Sequence, residues 1–385
     1  MDYLKNSQPW IAALILLAMV FASSVTQAQT VAVVTAPDLG KVTAASNGVT
    51  VFNFAAGTGE VTRVSGSGTR AAAGAAYATV VVTCGSAASN EGDGEFGQNT
   101  QGGDTQGGGS EGGDGQRRDG SGREHQGGGW CDRDPLKITV TNAGSPTGRA
   151  GPLGAFTAAM GNAVLVSGSP STPANPLVFE IQGLGGTSRS FSIGADFPIY
   201  GDDRSDLPTG LATSGFVVTM EDGKRSHGSF SGPGIGAAYV IHQLKMAVAS
   251  DPNTGAPMRL DFGRIVLPTS GPANVNLSAS TGERTVTGAG ALANPAPQRG
   301  GFVVEGQRGE SISVSVPPSI TLTNTSGQGS LAISTNTTAV GVATLSVGTG
   351  ASGSYTFYVG GSFALSPTTP SGAYQGSYTV SANYD

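Results

Sequence analysis

The chain has 385 residues, 62 of them glycine, with 12% charged and 6% aromatic side chains and a formal net charge of −6. That length accommodates two domains of ordinary size, each able to bury a core. An acidic chain so poor in Lys and Arg argues against nucleic acid and anionic membrane surfaces as partners, since both recruit positive charge.

The first 28 residues read as a secretory signal. Lys5 lies in a short polar region, Ile11 to Val25 is almost wholly apolar, and Thr26-Gln27-Ala28 supplies small residues at the positions a signal peptidase reads, so cleavage is expected after Ala28. The apolar stretch is shorter than the roughly 20 residues that a spanning helix needs. Beyond it, sustained 3.6-residue apolar periodicity is nearly absent, and the Gly/Ser/Thr/Val-rich sequence predicts short strands joined by tight turns. No integral membrane segment is expected after signal removal.

A first domain is expected over residues 29–222, opening with Val31-Ala32-Val33 and Asp38-Leu39-Gly40-Lys41-Val42. Residues 85–130 interrupt it with runs such as Gly107-Gly108-Gly109 and Gly112-Gly113-Asp114-Gly115. This insertion is too poor in apolar side chains to offset its ordering entropy, which predicts disorder. Cys84 and Cys131, the only two cysteines, bracket it. In an oxidising compartment an even count predicts a disulfide, here one that closes the neck of the insertion and stabilises the fold by roughly 3–4 kcal/mol in the chain-entropy view. Residues 223–239, with Gly232-Pro233-Gly234, read as a linker.

A second domain is expected over residues 240–385. Its strand signals are Leu244–Val248, Val275–Leu277, Phe302–Val304, Ser311–Val316, Ile320–Leu322, Ser354–Val359 and Tyr378–Tyr384. Short alternating strands with turn signals about every ten residues point to a β-sandwich. Pro317-Pro318, Pro367 and Pro370 belong at edges and turns, because proline cannot donate to a ladder.

The second domain repeats the first. Asp38-Leu39-Gly40-Lys41-Val42 returns as Asp261-Phe262-Gly263-Arg264-Ile265, Val64-Ser65-Gly66 as Val286-Thr287-Gly288, and Val81-Val82 as Val303-Val304. Pro135–Asn142 matches Pro317–Asn324, and Phe191–Phe197 matches Phe357–Phe363. Five collinear blocks indicate one module present twice.

The ending Phe357-Tyr358-Val359-Gly360-Gly361-Ser362-Phe363, then Gly372-Ala373-Tyr374-Gln375-Gly376 and the alternating run to Tyr384, resembles the bacterial domain-of-unknown-function family 4402, as does Asp261-Phe262-Gly263-Arg264-Ile265. The first copy is a degenerate match, with Gly194-Ala195-Asp196 in place of Gly-Gly and Gly210–Ser214 in place of Gly-x-Tyr-x-Gly. The pattern is also similar to spore-coat-U-like subunits of chaperone–usher pili. The resemblance implies two tandem immunoglobulin-like or pilin-like β-sandwiches, exported by a Gram-negative bacterium, with a structural or adhesive role, no catalytic residues and no cofactor.

The residues themselves offer little chemistry. Gly108-Gly109-Ser110-Glu111-Gly112 has the hydrolase Gly-x-Ser-x-Gly form but lacks the strand and helix that make the nucleophile elbow. Gly348–Gly353 has the Gly-x-Gly-x-x-Gly form, yet a strand rather than a helix is expected to follow. His125, His227 and His242 are the only histidines and stand far apart, so no Cys/His zinc site can be assembled. Asp114 and Asp119, and the set Asp202, Asp203, Asp206, Glu221 and Asp222, could offer carboxylates to calcium, but no nine-residue repeat accompanies them. The expected role is thus a secreted or cell-surface structural or adhesive subunit that is not an enzyme. Self-association or joining of other surface subunits by β-strand addition has Thr30–Thr35 and Leu244–Val248 as candidate strands; the other reading, which their place directly before the Asp-x-Gly motifs favours, is that each is simply the first strand of its own domain. The alternative is an extracellular module that binds carbohydrate or calcium through the 85–130 loop.

Overall fold

The structure, a computed structural model, describes residues 30–72, 77–84, 130–223 and 228–385. Among these the chain is all-β, with one helical turn at Trp130–Arg133. The expected signal peptide and residues 85–129 lie outside the described residues. Of the expected insertion only Trp130 is described, where it opens the helical turn.

The first sandwich packs two sheets over one apolar cluster. In one sheet the long strand Arg189–Tyr200 pairs with Val49–Phe54, Ala78–Thr83 and Gly154–Met160, while Val61–Ser65 and Thr30–Thr35 form the edges. The facing sheet runs in the order Thr69–Ala72, Asp38–Thr43, Ser229–Ile241, Gly210–Asp222, Leu136–Thr147, Leu177–Ile181, Leu165–Gly168. Strict alternation buries every second residue of Gly210–Asp222 from Ala212 onward, as a strand with one face on a core requires. Phe52, Phe54, Phe156, Phe179, Phe191, Phe197 and Phe216 fill the space between the sheets, with Phe179 edge-on to Phe191 at 5.5 Å. Each such ring contributes about 1.5–3 kcal/mol through burial.

The second half repeats this pairing scheme. Its long strand, Ser352–Leu365, pairs with Ala273–Leu277, Gly300–Gln307 and Ser330–Thr337, and Lys245–Val248 lies along Gly300–Gln307 as Thr30–Thr35 lies along Ala78–Thr83. Correspondence extends to single atoms. The amide of Gly40 donates to Asp38 Oδ1 at 2.7 Å, and that of Gly263 donates to Asp261 Oδ1 at 2.7 Å. Both glycines have positive φ, 75° and 65°, which this turn requires. In the hairpin that follows, Ala55 N binds Glu60 O and Gly59 N binds Ala55 O; Ser278 N binds Glu283 O and Gly282 N binds Ser278 O.

Three sequence expectations need correction. The fourth repeated block is out of register: Leu136–Val140 and Ile312–Ser315 are the stretches that pair with the strand after the long one, so Leu136 corresponds to Ile312, six residues before Pro318. Tyr378–Tyr384 is not one strand. Only Tyr374–Gln375 and Ser381–Tyr384 pair, since the facing Pro317-Pro318 has no N–H to donate between them. The expected linker at 223–239 is also mistaken, for Ser229–Ile241 pairs along Gly210–Asp222 and runs parallel to Asp38–Thr43. The first sandwich therefore extends past residue 222 to Ile241 and the second begins after it rather than at residue 240. Gly232, Gly234 and Gly236 are not turn residues here; they let this strand lie close to its neighbours. A Cβ at Gly234 would enter the Phe216 ring, and one at Gly232 would meet the Val31 carbonyl.

Candidate functional site

Two places in the fold could do work. The larger is a seam in the second sandwich. In the first sandwich, Ser229–Ile241 joins Asp38–Thr43 to Gly210–Asp222 and makes one continuous sheet. In the second, the counterparts are Arg264–Val266 and the broken strand Tyr374–Gln375/Ser381–Tyr384, and no described strand lies between them. Arg264–Val266 pairs only with Ala291–Ala293. Tyr374–Gln375 pairs with Thr323–Asn324, and Ser381–Tyr384 pairs with Ser311–Ser315. Among the described residues each element pairs along one edge, and Arg264 and Ile265 face Tyr374–Gly376 across a gap.

The gap is a cavity of about 830 Å³ whose walls include Arg264 and Ile265 on one side and Tyr374–Gly376 on the other. Its floor consists of core residues: Phe262, Ile320, Ile333, Phe363 and Leu365. Phe262 and Phe363 meet edge to face at 5.0 Å. The second half accordingly has two separate apolar clusters where the first has one; the second of them holds Val304, Ile312, Leu345, Phe357, Val359 and Val380. Tyr378 bridges both, packing on Phe302 at 6.1 Å, and burial pushes its hydroxyl up to about 12. The arrangement can bind an extended backbone: unpaired N–H and C=O groups above an apolar trough are what strand addition uses.

The smaller place is a polar node between the halves. Arg149, 2% exposed, donates from Nη1 to Asp202 Oδ1 at 2.9 Å and also to the Gly201 carbonyl. His242 Nδ1 lies 2.7 Å from the same carboxylate, and the Gln243 amide donates to its other oxygen at 3.0 Å. Burial pushes the Asp202 carboxyl up, but the hydrogen bonds from His242 and Gln243, with the charges of His242 and Arg149, outweigh it and hold the pKa below the usual carboxylate range. Tyr384 donates to the His242 carbonyl at 2.9 Å, and Lys41 pairs with Glu310 at 2.6 Å, so both halves contribute. A cavity of about 480 Å³ adjoins the node.

The structure disperses the remaining candidates. Cys84 and Cys131 are joined as a disulfide with Cα atoms 6.1 Å apart, and Cys131 is fully buried. Asp206 is clamped by Arg204 at 2.8 Å, which holds its carboxyl down at about 2, while Asp203 accepts the Gly48 amide and Glu221 pairs with Lys137. Those carboxylates face cationic or backbone donors, and no group of three metal-binding side chains occurs among the described residues. His242 sits in the connection between the strands Ser229–Ile241 and Lys245–Val248. Gly348–Gly353 is a turn that enters the strand Ser352–Leu365. His125, His227, Asp114, Asp119 and the Gly108–Gly112 motif lie outside the described residues, as does nearly all of the loop proposed to hold carbohydrate or calcium. No helix among the described residues is long and apolar enough to cross a membrane.

Sequence reasoning missed both the seam and the node. The signal for the strand that closes the first sandwich was available in the alternation Gly232-x-Gly234-x-Gly236-x-Ala238-x-Val240. Arg149 carries no sequence signal; only burial distinguishes it.

Residues 253–384 match the model of the family described as "Domain of unknown function (DUF4402)". This range covers most of the second sandwich and none of the first. No curated protein matches the chain. Among solved structures, the chain is similar to one from a study entitled "Chaperone-tip adhesin complex is vital for synergistic activation of CFA/I fimbriae biogenesis". The identity is 9%, the coverage is 66% of this chain and 85% of that one, and the TM-score is 0.21, too low to establish a common fold.

Proposed function

We propose that this protein is an exported structural or adhesive subunit of the bacterial surface that works by associating with other polypeptides and not by catalysis. The observation that supports this reading is the seam: one sandwich is closed by its own strand, whereas among the described residues its repeat presents an apolar trough between two edges that pair with no strand. The reading also accommodates the leader-like first 28 residues, the disulfide and the family match over residues 253–384. The candidate strands Thr30–Thr35 and Lys245–Val248 each pair within their own sandwich, so association through them would add a neighbour to a sheet edge.

Expression of the full chain in a Gram-negative host tests the proposal. The expected outcome is a mature protein that begins at Gln29, is accessible to protease on intact cells and is recovered in cross-linked species larger than a monomer. A protein that stays in the cytoplasm, or an exported one that remains monomeric under cross-linking, overturns it.

A further inference from the structure

We infer that the cavity beside the Arg149–Asp202–His242 node binds a small zwitterion, a free α-amino acid held by both its carboxylate and its ammonium. Such a site needs no partner polypeptide and stands apart from the associative role proposed above. The cavity measures about 480 Å³, within the roughly 300–1,000 Å³ of small-molecule sites, and lies where such sites concentrate, at a junction of domains. One wall is the connection that leaves the first sandwich, with His242 and Gln243 backed by Asp202. The other is the second sandwich, where Lys245, Glu305 and Ser354 stand in one row across three neighbouring strands.

Part of the charge on these walls is already used and part is open. The Asp202 carboxylate accepts from Arg149, His242 and Gln243, so it holds the wall and has little left to offer a ligand. An ionised carboxylate only accepts, so His242 Nδ1 carries the hydrogen and donates. That bond fixes the imidazole and leaves Nε2 without a partner among the described residues. Lys245 and Glu305 are opposite charges in direct register, where cross-strand pairs ordinarily form. Both are exposed, yet among the described residues neither side chain makes an ion pair or a hydrogen bond. The cavity therefore presents one cation and one anion on adjacent strands, about 5 Å apart at the backbone. A ligand of single charge is attracted by one and repelled by the other. A molecule with both signs on neighbouring atoms satisfies both, its carboxylate toward Lys245 and its ammonium toward Glu305. The Thr349 and Ser352 hydroxyls line the same space, and Val347, 68% exposed, offers an apolar surface to a short aliphatic side chain.

Calorimetric titration of the full oxidised chain with L-alanine tests the site. Acetate and methylamine, each with one of the two charges, and alanylalanine, whose charges stand farther apart, serve as comparison ligands. Expected are saturable binding of alanine and affinities at least about tenfold weaker for all three comparisons. NMR shifts of backbone amides should be confined to residues 242–245, 305–306 and 347–354. Lys245→Met and Glu305→Gln change exposed side chains, so both variants should fold as the parent does, and each should weaken alanine binding about tenfold. Lys137→Met, which breaks an ion pair on the first sandwich, should leave binding unchanged. No saturable binding of alanine up to about 10 mM, equal affinity for acetate or methylamine, amide shifts elsewhere, or undiminished binding by either cavity variant overturns the inference.

Discussion

At Gly194 and Gly360 the two halves of the molecule meet the same steric demand. A Cβ on Gly194 would strike the Phe54 carbonyl oxygen, and one on Gly360 would strike that of Leu277, because in both sandwiches each glycine lies one residue beyond the last pair that the long central strand makes with the first hairpin strand. Neither glycine has a positive φ, so the constraint is contact and not backbone conformation. We expect Gly360→Ala to destabilise the second sandwich by about 1–3 kcal/mol, an overpacking cost. Gly341→Ala, where nothing lies within 4 Å, should stay within about 0.5 kcal/mol of the parent in urea denaturation. Similar midpoints for the two variants would refute the contact argument. The repeat Phe191–Phe197 to Phe357–Phe363 placed these glycines opposite one another from sequence alone, because residues that must be small leave a mark that composition shifts elsewhere do not erase.

Among the elements, the broken strand Tyr374–Gln375/Ser381–Tyr384 is where local pattern and tertiary outcome part. Tyr378–Tyr384 alternates as a strand should, yet its middle is unpaired because one neighbour is a proline pair and the other is absent among the described residues. Its two tyrosines nonetheless anchor the second sandwich. Tyr378 touches both apolar clusters, and Tyr384 accepts from the Gln307 amide at 2.7 Å and donates to the His242 carbonyl. Burial raises both hydroxyls to about 12. A phenol whose folded pKa exceeds its unfolded value of about 10 stabilises the fold fully below pH 10, and that contribution is lost as pH rises toward 12. Stability should therefore fall between about pH 10 and 12, together with the rise of tyrosinate absorbance, and Tyr384→Phe should flatten part of the fall. An unchanged alkaline profile in that variant would remove Tyr384 from the account.

Over the whole molecule, the connection from Ile241 to Lys245 carries one sandwich into the next, and the Arg149–Asp202–His242 node holds it. Arg149 is 2% exposed and Asp202 9%, so removing the carboxylate would leave a guanidinium buried with only a carbonyl to face. Loss of one partner from a buried pair costs about 3–5 kcal/mol. We expect Asp202→Ala to lose that much stability in equilibrium denaturation. Loss of the Glu310 partner of the more exposed Lys41 should cost at most about 1 kcal/mol. Comparable losses would show that burial does not set the strength of the contacts that join the halves.

Composition and repeat by themselves determined that this is an all-β chain built from one module present twice, and the cysteine pair around the insertion was legible in the same way. These features are local or periodic, and a strand's alternation or a glycine's turn survives in the linear order of residues. The closure of a sheet does not. Ser229–Ile241 looked like a linker because Gly-Pro-Gly is turn-like in isolation, and only packing against Phe216 and pairing with Asp38–Thr43 made it a strand. By the same logic the seam of the second sandwich is legible only against the first, where Ser229–Ile241 stands between Asp38–Thr43 and Gly210–Asp222.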